Sequence, residues 1–233
     1  MILVIGCGHV GNTIANRLSN VIKIDPKLNE NKIEDFIFDG AVICLPTPTI
    51  DGKCDDSLIE ETIDRLGDTR ILIKSTVLPN KLEKYGDNVV YSPEFLREEH
   101  AEEDYEKQNN VIWGGVRHQI DWWINKFHSE HKNNMIMNRK DASVVKYIYN
   151  CFLATKVALF HEIYSKLDSS YNYNDIINTL AEFKNIGPSH MKVRDLGYDG
   201  SCFPKDMEAF ANFLDSEILK NVIKVNQDLI GAR

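Results

Sequence analysis

The first 140 residues alternate between short apolar runs and stretches in which apolar residues recur with helical spacing. Residues 2–5 are all apolar, as is typical of a strand buried on both faces of a parallel sheet. Further strands are predicted at residues 21–25, 41–45, 70–74, 89–91, 111–113 and 135–137. Helices are predicted between them, at residues 12–18, 56–66 and 119–127. This alternation predicts an α/β fold with a Rossmann-like, doubly wound parallel sheet.

The pattern changes after residue 138. A helical repeat without Gly or Pro runs from residue 142 to about residue 167, and shorter helices are predicted at residues 174–181, 205–214 and 214–230. We therefore predict a Rossmann domain over residues 1–138 and a small all-helical domain over residues 139–233. The long helix carries more apolar residues than so small a domain can bury, so a homodimer through the helical domain is expected.

Composition and charge argue against several kinds of partner. The chain is 43% hydrophobic and 27% charged, and its formal net charge of −8 comes with no basic block, so nucleic acid is not expected. No apolar run is long enough for a membrane span, and the start of the chain lacks the pattern of a signal peptide. Five cysteines at scattered spacings, without a Cys/His cluster, favour reduced thiols, a cytoplasmic location and no metal site.

A glycine-rich turn, Gly6-Cys-Gly-His-Val-Gly11, follows the first predicted strand, and the second strand ends at Asp25. In this context the pattern is the fingerprint of dinucleotide binding, in which glycines let the backbone approach a pyrophosphate. A carboxylate at position 25 can bond the adenosine ribose and would repel a 2′-phosphate, so NAD is expected rather than NADP. A glycine-rich turn that binds nothing is the alternative. The predicted cofactor contacts in this region are Gly6, Gly8, His9, Val10, Gly11 and Asp25.

Polar residues also follow the other predicted strands, where an open α/β sheet places its cofactor contacts. Pro46 and Thr47 follow the third strand, and Thr76 follows the fourth. Glu94 and Glu98 follow the fifth and would share one face of a helical turn. Several acidic neighbours make a solvated surface the alternative interpretation of those two glutamates.

The stretch from Gly197 to Asp206 places a thiol, Cys202, in a turn bounded by glycines. Pro204 is suited to the first turn of a helix, so Cys202 would precede a helix start, beside Lys205. A nearby ammonium and a helix N-terminus both favour the thiolate, which is the nucleophilic form of cysteine. A buried structural cysteine is the alternative.

Lys146 and Asn150 are one turn apart on the predicted long helix and so project together. Their neighbours on that stripe are apolar. Two interpretations stay open from the spacing: snorkelling surface groups, or ligands of an oxyanion.

Seven motifs in this order resemble the UDP-glucose/GDP-mannose dehydrogenase family, and above all its UDP-glucose-oxidising members. They are Gly6-Cys-Gly-His-Val-Gly11, Leu45-Pro-Thr-Pro48, Lys74-Ser-Thr-Val77, Ser92-Pro-Glu-Phe-Leu-Arg-Glu98, Ile112-Trp-Gly-Gly115, Lys146-Tyr-Ile-Tyr-Asn-Cys-Phe-Leu-Ala-Thr-Lys156 and Ser201-Cys-Phe-Pro-Lys-Asp206. The resemblance covers essentially the whole chain. It implies oxidation of the C6 alcohol of a nucleotide sugar to a carboxylate with two NAD, with UDP-glucose to UDP-glucuronate as the expected reaction.

The resemblance also implies a role for individual residues. Cys202 would attack the aldehyde to give a thiohemiacetal, and the thioester formed from it would be hydrolysed by water. The other implied roles are oxyanion ligands (Lys146 and Asn150), acid/base and water positioning (Asp206, Lys146 and Thr76), an acid near cofactor and thioester (Glu98), a strip along the sugar (Glu94, Phe95 and Leu96) and a cofactor contact (Lys205).

The chain also departs from the family pattern. Asp199 stands where a glycine is usual, and its carboxylate near Cys202 is expected to disfavour the thiolate. Asn185 stands where many members have an arginine that reaches a neighbouring subunit's substrate. The link between Asp25 and Ala41 is short, and the chain ends at Arg233, where the resemblance leads us to expect the start of the helix before a third domain that grips the nucleotide. A non-catalytic NAD- or nucleotide-sugar-binding relative is therefore a second hypothesis, and a hydroxyacid dehydrogenase, which would not need Cys202, is a third.

Overall fold

The computed structural model describes residues 1–129 and 132–232, which divide into two compact units. Unit 1 comprises Met1–Pro48 and Cys54–Lys146. Unit 2 comprises Thr49–Lys53 and the chain from Tyr147 onwards. The domain boundary at residues 138/139 stays a prediction.

Strands and helices alternate through the first half of the chain. The strands are β1 (Ile2–Ile5), β2 (Val21–Ile24), β3 (Gly40–Ile43), β4 (Thr49–Ile50), β5 (Lys53–Cys54), β6 (Arg70–Ile73), β7 (Val89–Tyr91), β8 (Asn110–Gly114) and β9 (Asn133–Met137). The helices are α1 (His9–Ala15), α2 (Ser57–Leu66), α3 (Pro79–Leu82), α4 (Ala101–Lys107), α5 (Arg117–Phe127), α6 (Arg139–Lys166), α7 (Tyr173–Ala181), α8 (Phe203–Leu214) and α9 (Glu217–Gly231). The 3₁₀ turns Ile33–Asp35 and Glu98–His100 complete the set.

Unit 1 is built on a seven-stranded sheet in the order β2-β1-β3-β6-β7-β8-β9. Neighbouring strands are parallel, with Ile2 level with Val21 on one side and with Gly40 on the other. One pairing departs from the predicted all-parallel sheet, because β8 runs antiparallel to β7 and Tyr91 pairs with Gly114. The Rossmann-like α/β class is confirmed.

The apolar runs at the centre of the sheet are buried on both faces, as their continuous hydrophobicity predicts. Leu3 and Ile5 point to one face, which packs on α2. Ile2 and Val4 point to the other, which packs on α1 and α5 through residues that include Trp123. The sheet therefore has a core on each side, and its strand ends are left to form the site.

The regular elements of unit 2 are helices, apart from those in the short segment Thr49–Lys53. The ring of Tyr147 on α6 stacks on Phe210 of α8, with ring centroids 5.0 Å apart. Asp215 adopts a left-handed conformation and ends α8, and the Ser216 side chain accepts the Leu219 N–H to cap α9. The predicted helix at residues 214–230 therefore begins three residues later than expected.

The structure contains elements that the apolar pattern does not predict: α3, α4 and the ribbon of β4 and β5. The prediction of one helical turn carrying both Glu94 and Glu98 was wrong, because Glu94 lies in irregular chain and the 3₁₀ turn begins at Glu98. The five cysteines, all within the described chain, form no disulfide. No helix among the described residues is both long and apolar enough to cross a membrane. In residues 1–129 and 132–232, no group of three or more His, Cys, Asp or Glu could hold a metal ion.

Candidate active site

The glycine-rich turn between β1 and α1 is shaped by close backbone contacts. Gly6 has a φ of 84°, and a Cβ there would lie 2.6 Å from the Cys44 carbonyl oxygen. A Cβ on Gly11 would lie 1.9 Å from the Gly6 oxygen. A Cβ on Gly8 would have no protein atom within 4 Å. Gly6 and Gly11 are thus required by the turn itself, whereas Gly8 faces space that a ligand could fill.

Asp25, at the carboxyl end of β2, is held by two backbone donors. Its Oδ2 accepts the Cys7 N–H at 2.7 Å, and its Oδ1 accepts the Lys27 N–H at 2.8 Å. These two hydrogen bonds lower the pKa of the Asp25 carboxyl below its ordinary value, and the bond from the Cys7 N–H contributes most. Each carboxylate oxygen keeps a second lone pair, so the group is fixed and charged and can still accept ribose hydroxyls.

A cavity of about 540 Å³ opens beside the turn. One wall is formed by Gly8, His9 and Asn12, and the other by the acidic segment Glu98 to Glu103. His9 Nε2 lies 3.0 Å from Glu98 Oε1. The structure therefore brings His9 and Glu98 together at one cavity. Val10, in the first turn of α1, packs instead against the core of unit 1.

The strand ends carry the other predicted cofactor contacts. Pro46 is exposed and Thr47 is buried in the segment after β3. Thr76, half-buried, follows β6. Between them, Ser75 Oγ donates to the Leu45 carbonyl at 2.7 Å and ties the two strand ends together.

Lys146 lies against the Glu94–Leu96 strip, and both are in unit 1. Lys146 is only 4% exposed, and its Nζ donates to the Glu94 carbonyl oxygen at 2.6 Å. The same ammonium is 5.1 Å from the centre of the Phe95 ring and 4.0 Å from Glu94 Oε1. Glu94 Oε2 accepts the Leu96 N–H at 2.6 Å, which fixes the carboxylate. Lys146 is therefore not a snorkelling surface group.

Lys74 is a charged residue of this region to which the sequence reasoning gave no role. Its Nζ donates to Ser92 Oγ at 3.2 Å, two residues before Glu94. Burial lowers the pKa of Lys74 from 10.5 to about 8, with the Glu94 carboxylate opposing that shift. The motif Lys74-Ser-Thr-Val77 was the available signal, but it does not reveal the burial.

In unit 2 a buried carboxylate joins α6 to α8. Asp206 is 1% exposed, and its Oδ2 accepts from Asn150 Nδ2 at 2.6 Å. Lys205 Nζ donates to the other oxygen, Oδ1, at 2.5 Å. Asn150 is 4% exposed, so it too is not a surface group. Cys151 follows Asn150 in the chain. Burial, and to a lesser extent the charge of Asp206, raise the pKa of the Cys151 thiol to about 12, which makes that cysteine a poor nucleophile.

Cys202 is exposed at the N-cap position of α8, with Pro204 in the first turn as predicted. Its Sγ is 3.6 Å from Ser201 Oγ. The alternative of a buried structural cysteine is therefore wrong. Lys205, expected to act on the thiol, has its ammonium hydrogen-bonded to Asp206 instead.

The turn before Cys202 accommodates Asp199 without a left-handed backbone at that position. The positive φ angles fall on Gly197 (78°) and Gly200 (85°). A Cβ on Gly197 would lie 2.8 Å from Asn226 Oδ1. Asn226 also accepts the Tyr198 N–H and donates to the Tyr198 carbonyl, at 2.6 and 2.9 Å, which fastens the turn to α9.

Comparison with known proteins connects this geometry to a family. Residues 140–228 match the family model described as "UDP-glucose/GDP-mannose dehydrogenase family, central domain". Two UDP-glucose 6-dehydrogenases, from Rickettsia prowazekii and Rickettsia bellii, are 29% and 30% identical to this chain over 215 residues. Each alignment covers 82% of this chain and 49% of the relative. The solved UDP-glucose dehydrogenase of Pyrobaculum islandicum superposes with a TM-score of 0.84 at 25% identity, covering 97% of this chain and 67% of that one.

The chain thus spans about half the length of the curated relatives it matches. Both halves of the described chain take part in these matches, and the resemblance stated from the sequence is confirmed. Residues 140–228 carry the central domain of the UDP-glucose/GDP-mannose dehydrogenase family, and the chain as a whole is similar to members of that family.

Proposed function

We propose that this chain catalyses the NAD-dependent oxidation of a nucleotide sugar, UDP-glucose to UDP-glucuronate, through a covalent intermediate on Cys202. The observation that carries the proposal is an exposed thiol at the start of α8, one turn from a buried carboxylate, Asp206, that is bonded to Asn150. A dehydrogenase that makes only an aldehyde or a ketone has no use for such a thiol.

NAD would occupy the cavity beside the glycine turn. The open space at Gly8 and the fixed carboxylate of Asp25 support this assignment, since the pyrophosphate needs close backbone approach and the ribose needs acceptors. Glu98, His9, Pro46, Thr47, Thr76 and Lys205 are the further proposed contacts. When bound, NAD accepts a hydride from the C6 carbon in each of the two oxidation steps.

The residues of the chain would handle the oxygen, the proton and the carbon–sulfur bond. In the first oxidation the C6 hydroxyl loses its proton as C6 loses hydride, which leaves an aldehyde. The Cys202 thiolate adds to that carbonyl, and Lys146 and Asn150 donate to the resulting oxyanion. Loss of a second hydride from the thiohemiacetal leaves a thioester. Water, positioned by Thr76 and deprotonated with the help of Asp206, cleaves it to a carboxylate and restores the thiol. Glu94, Phe95 and Leu96 would line the sugar.

The stoichiometry of NADH tests this proposal. Wild-type protein should yield two NADH per UDP-glucose consumed, and Cys202→Ala should lose the second oxidation while keeping its NAD affinity in calorimetry. Cys151→Ala is the matched control, because it removes a buried thiol that the proposed chemistry does not use. A yield of one, unchanged by Cys202→Ala, would indicate a simple alcohol or hydroxyacid dehydrogenase. No NADH with any UDP- or GDP-sugar, together with NAD binding, would support the non-catalytic alternative.

We also propose a homodimer through α6. Within unit 2 this helix exposes large apolar side chains, among them Ile148 (55%), Phe152 (64%) and Leu159 (52%). Such exposure on one helix is typical of a surface covered in an oligomer. Sedimentation at micromolar concentration should show a dimer, and Phe152→Glu should shift it to a monomer. A monomeric wild type would refute this part.

A further inference from the structure

A small ribbon in unit 2 leads to an inference about Cys202. The segment Thr49–Lys53, called here the 49–53 ribbon, contains β4 and the first residue of β5. Its turn residues, Asp51 and Gly52, have φ angles of 49° and 72°. Two successive positive φ angles with an Asp-Gly sequence are typical of a type I′ hairpin turn. The ribbon is therefore an element whose turn is encoded by its own local sequence.

The ribbon runs along one face of α8. Thr49 Oγ1 donates to the Lys205 carbonyl at 2.9 Å, in the first turn of the helix. Asn212 Nδ2, near its end, donates to the Gly52 carbonyl at 2.8 Å. A Cβ on Gly52 would be 2.1 Å from Asn212 Nδ2 and 3.7 Å from Glu208 Oε1. Residues 205, 208 and 212 share a helix face, so the ribbon holds α8 along most of its length.

The first turn of α8 needs such a restraint. Cys202 is its N-cap residue, and the Cys202 side chain makes no capping hydrogen bond. An uncapped first turn leaves backbone donors unsatisfied, and a side-chain cap commonly contributes about 1 kcal/mol. A nucleophile on this turn would change direction whenever the turn frayed. The Thr49 hydroxyl does not bond those N–H donors, but its hydrogen bond to the Lys205 carbonyl restrains the turn from the side.

We propose that Thr49 and Asn212 are positioning residues for Cys202, holding the first turn of α8 through the 49–53 ribbon. A contribution of Thr49 and Asn212 to catalysis rests on the proposed function, whereas their effect on the reactivity of the Cys202 thiol does not. A formed first turn directs its N–H groups at the residue that precedes the helix, which favours a thiolate there. Loosening the turn should therefore slow thiol chemistry near neutral pH and leave the limiting rate at high pH unchanged.

The test is alkylation of Cys202 by iodoacetamide, followed by peptide mass spectrometry across a pH series. Thr49→Val keeps the side-chain shape and removes the donor, and should slow alkylation near pH 7.5 at least about threefold. Amide hydrogen exchange in residues 205–208 should become faster in the same variant. Thr49→Ser keeps the hydroxyl and should restore both values. Asn212→Ala, an exposed substitution by a good helix former, provides a second variant should Thr49→Val not fold.

The matched control is Thr179→Val. The Thr179 hydroxyl also donates to a backbone carbonyl, that of Asp175 at 2.8 Å, but within α7. This control should leave Cys202 alkylation at the wild-type rate. Unchanged alkylation and exchange in both Thr49→Val and Asn212→Ala, or an equal slowing in Thr179→Val, would overturn the inference.

Turnover separates the inference from the proposed function. If the wild type produces two NADH, Thr49→Val should lower kcat about tenfold while KM for the nucleotide sugar changes less than about twofold, since a positioning residue acts on the reacting group. If the wild type produces none but Thr49→Val still slows alkylation, the proposed function fails and the positioning role stands.

Discussion

Lys74, a half-buried lysine directly after β6, offers a test of electrostatics in unit 1. Burial lowers the pKa of Lys74 from 10.5 to about 8; Glu94 and Cys44 oppose the shift, and Lys146 and Lys132 add to it. Because the folded value lies below the unfolded one, the unfolded chain binds more protons between them. The destabilisation is fully present below about pH 8 and is relieved as the pH rises toward 10.5.

The magnitude follows from the two pKa values. A difference of about 2.5 units corresponds to about 3 kcal/mol near pH 7, at 1.36 kcal/mol per unit. Lys74→Met removes this penalty and also the hydrogen bond to Ser92 Oγ, which offsets about 1–2 kcal/mol of the gain. We therefore expect the variant to be more stable than the wild type by about 1–2 kcal/mol near pH 7. By about pH 9.5 the penalty falls to about 1 kcal/mol, and the advantage should disappear.

Urea unfolding at both pH values measures the effect as a difference between variant and wild type. Lys27→Met, at an exposed lysine, is the control for the change in net charge and should show no comparable pH trend. The reasoning would be refuted if Lys74→Met were less stable than the wild type near pH 7, or if its stability difference did not change with pH. In that case the ammonium would be solvated or fully compensated by Glu94.

Three further predictions concern the glycine-rich turn after β1, the carboxylate of Asp25 and the loop at Gly187. Gly11→Ala should destabilise the fold by about 3 kcal/mol in urea unfolding because its Cβ meets the Gly6 oxygen, whereas Gly8→Ala should keep stability and weaken NAD in calorimetry. Asp25→Asn should be less stable than the wild type near neutral pH; since the folded pKa is lowered, this difference should shrink as the pH falls below about 4, and an unchanged difference would contradict it. Lys156→Met removes two bonds from Nζ, at 2.7 Å to the Ile186 carbonyl and 3.1 Å to the Gly187 carbonyl, so amide exchange at Gly187 should become faster while that in β1 does not change.

The strands of the sheet were predicted well from the sequence, because strands buried on both faces consist of consecutive apolar residues. Each of the seven strands of the sheet falls within about two residues of its predicted position. The antiparallel pairing of β8 with β7 could not be predicted, since apolarity carries no information on strand direction. Helix α1 begins at His9, inside the glycine turn, where no apolar repeat marks its start.

Helix α4, which is rich in acidic residues, was not predicted. A solvated acidic surface was only the alternative interpretation of Glu94, Glu98 and their acidic neighbours. In the structure Arg17 forms ion pairs with Glu102 at 2.9 Å and with Glu106 at 2.7 Å, so a cation from far along the chain offsets part of the negative charge of α4. The hairpin signal of Asp51-Gly52 was present in the sequence and could have been used.

The residues of the candidate site could be named from the sequence, but their hydrogen-bond partners could not. The resemblance identified Lys146, Asn150, Asp206 and Cys202 as a set. The partner of Lys146 is a backbone carbonyl, that of Glu94, which no sequence pattern specifies. The pairing of Lys205 with Asp206 likewise depends on rotamers that only the folded chain fixes.

The three glycines of the turn after β1 are expected to differ in how they vary among homologues. Gly6 and Gly11 are enforced by neighbouring carbonyls, so a descendant that had abandoned its cofactor would still be obliged to keep both. Gly8 has no such neighbour and would drift to other residues once the ligand no longer selected against a side chain. Across homologues, the middle glycine is therefore the position whose loss should mark a lineage that no longer binds a dinucleotide.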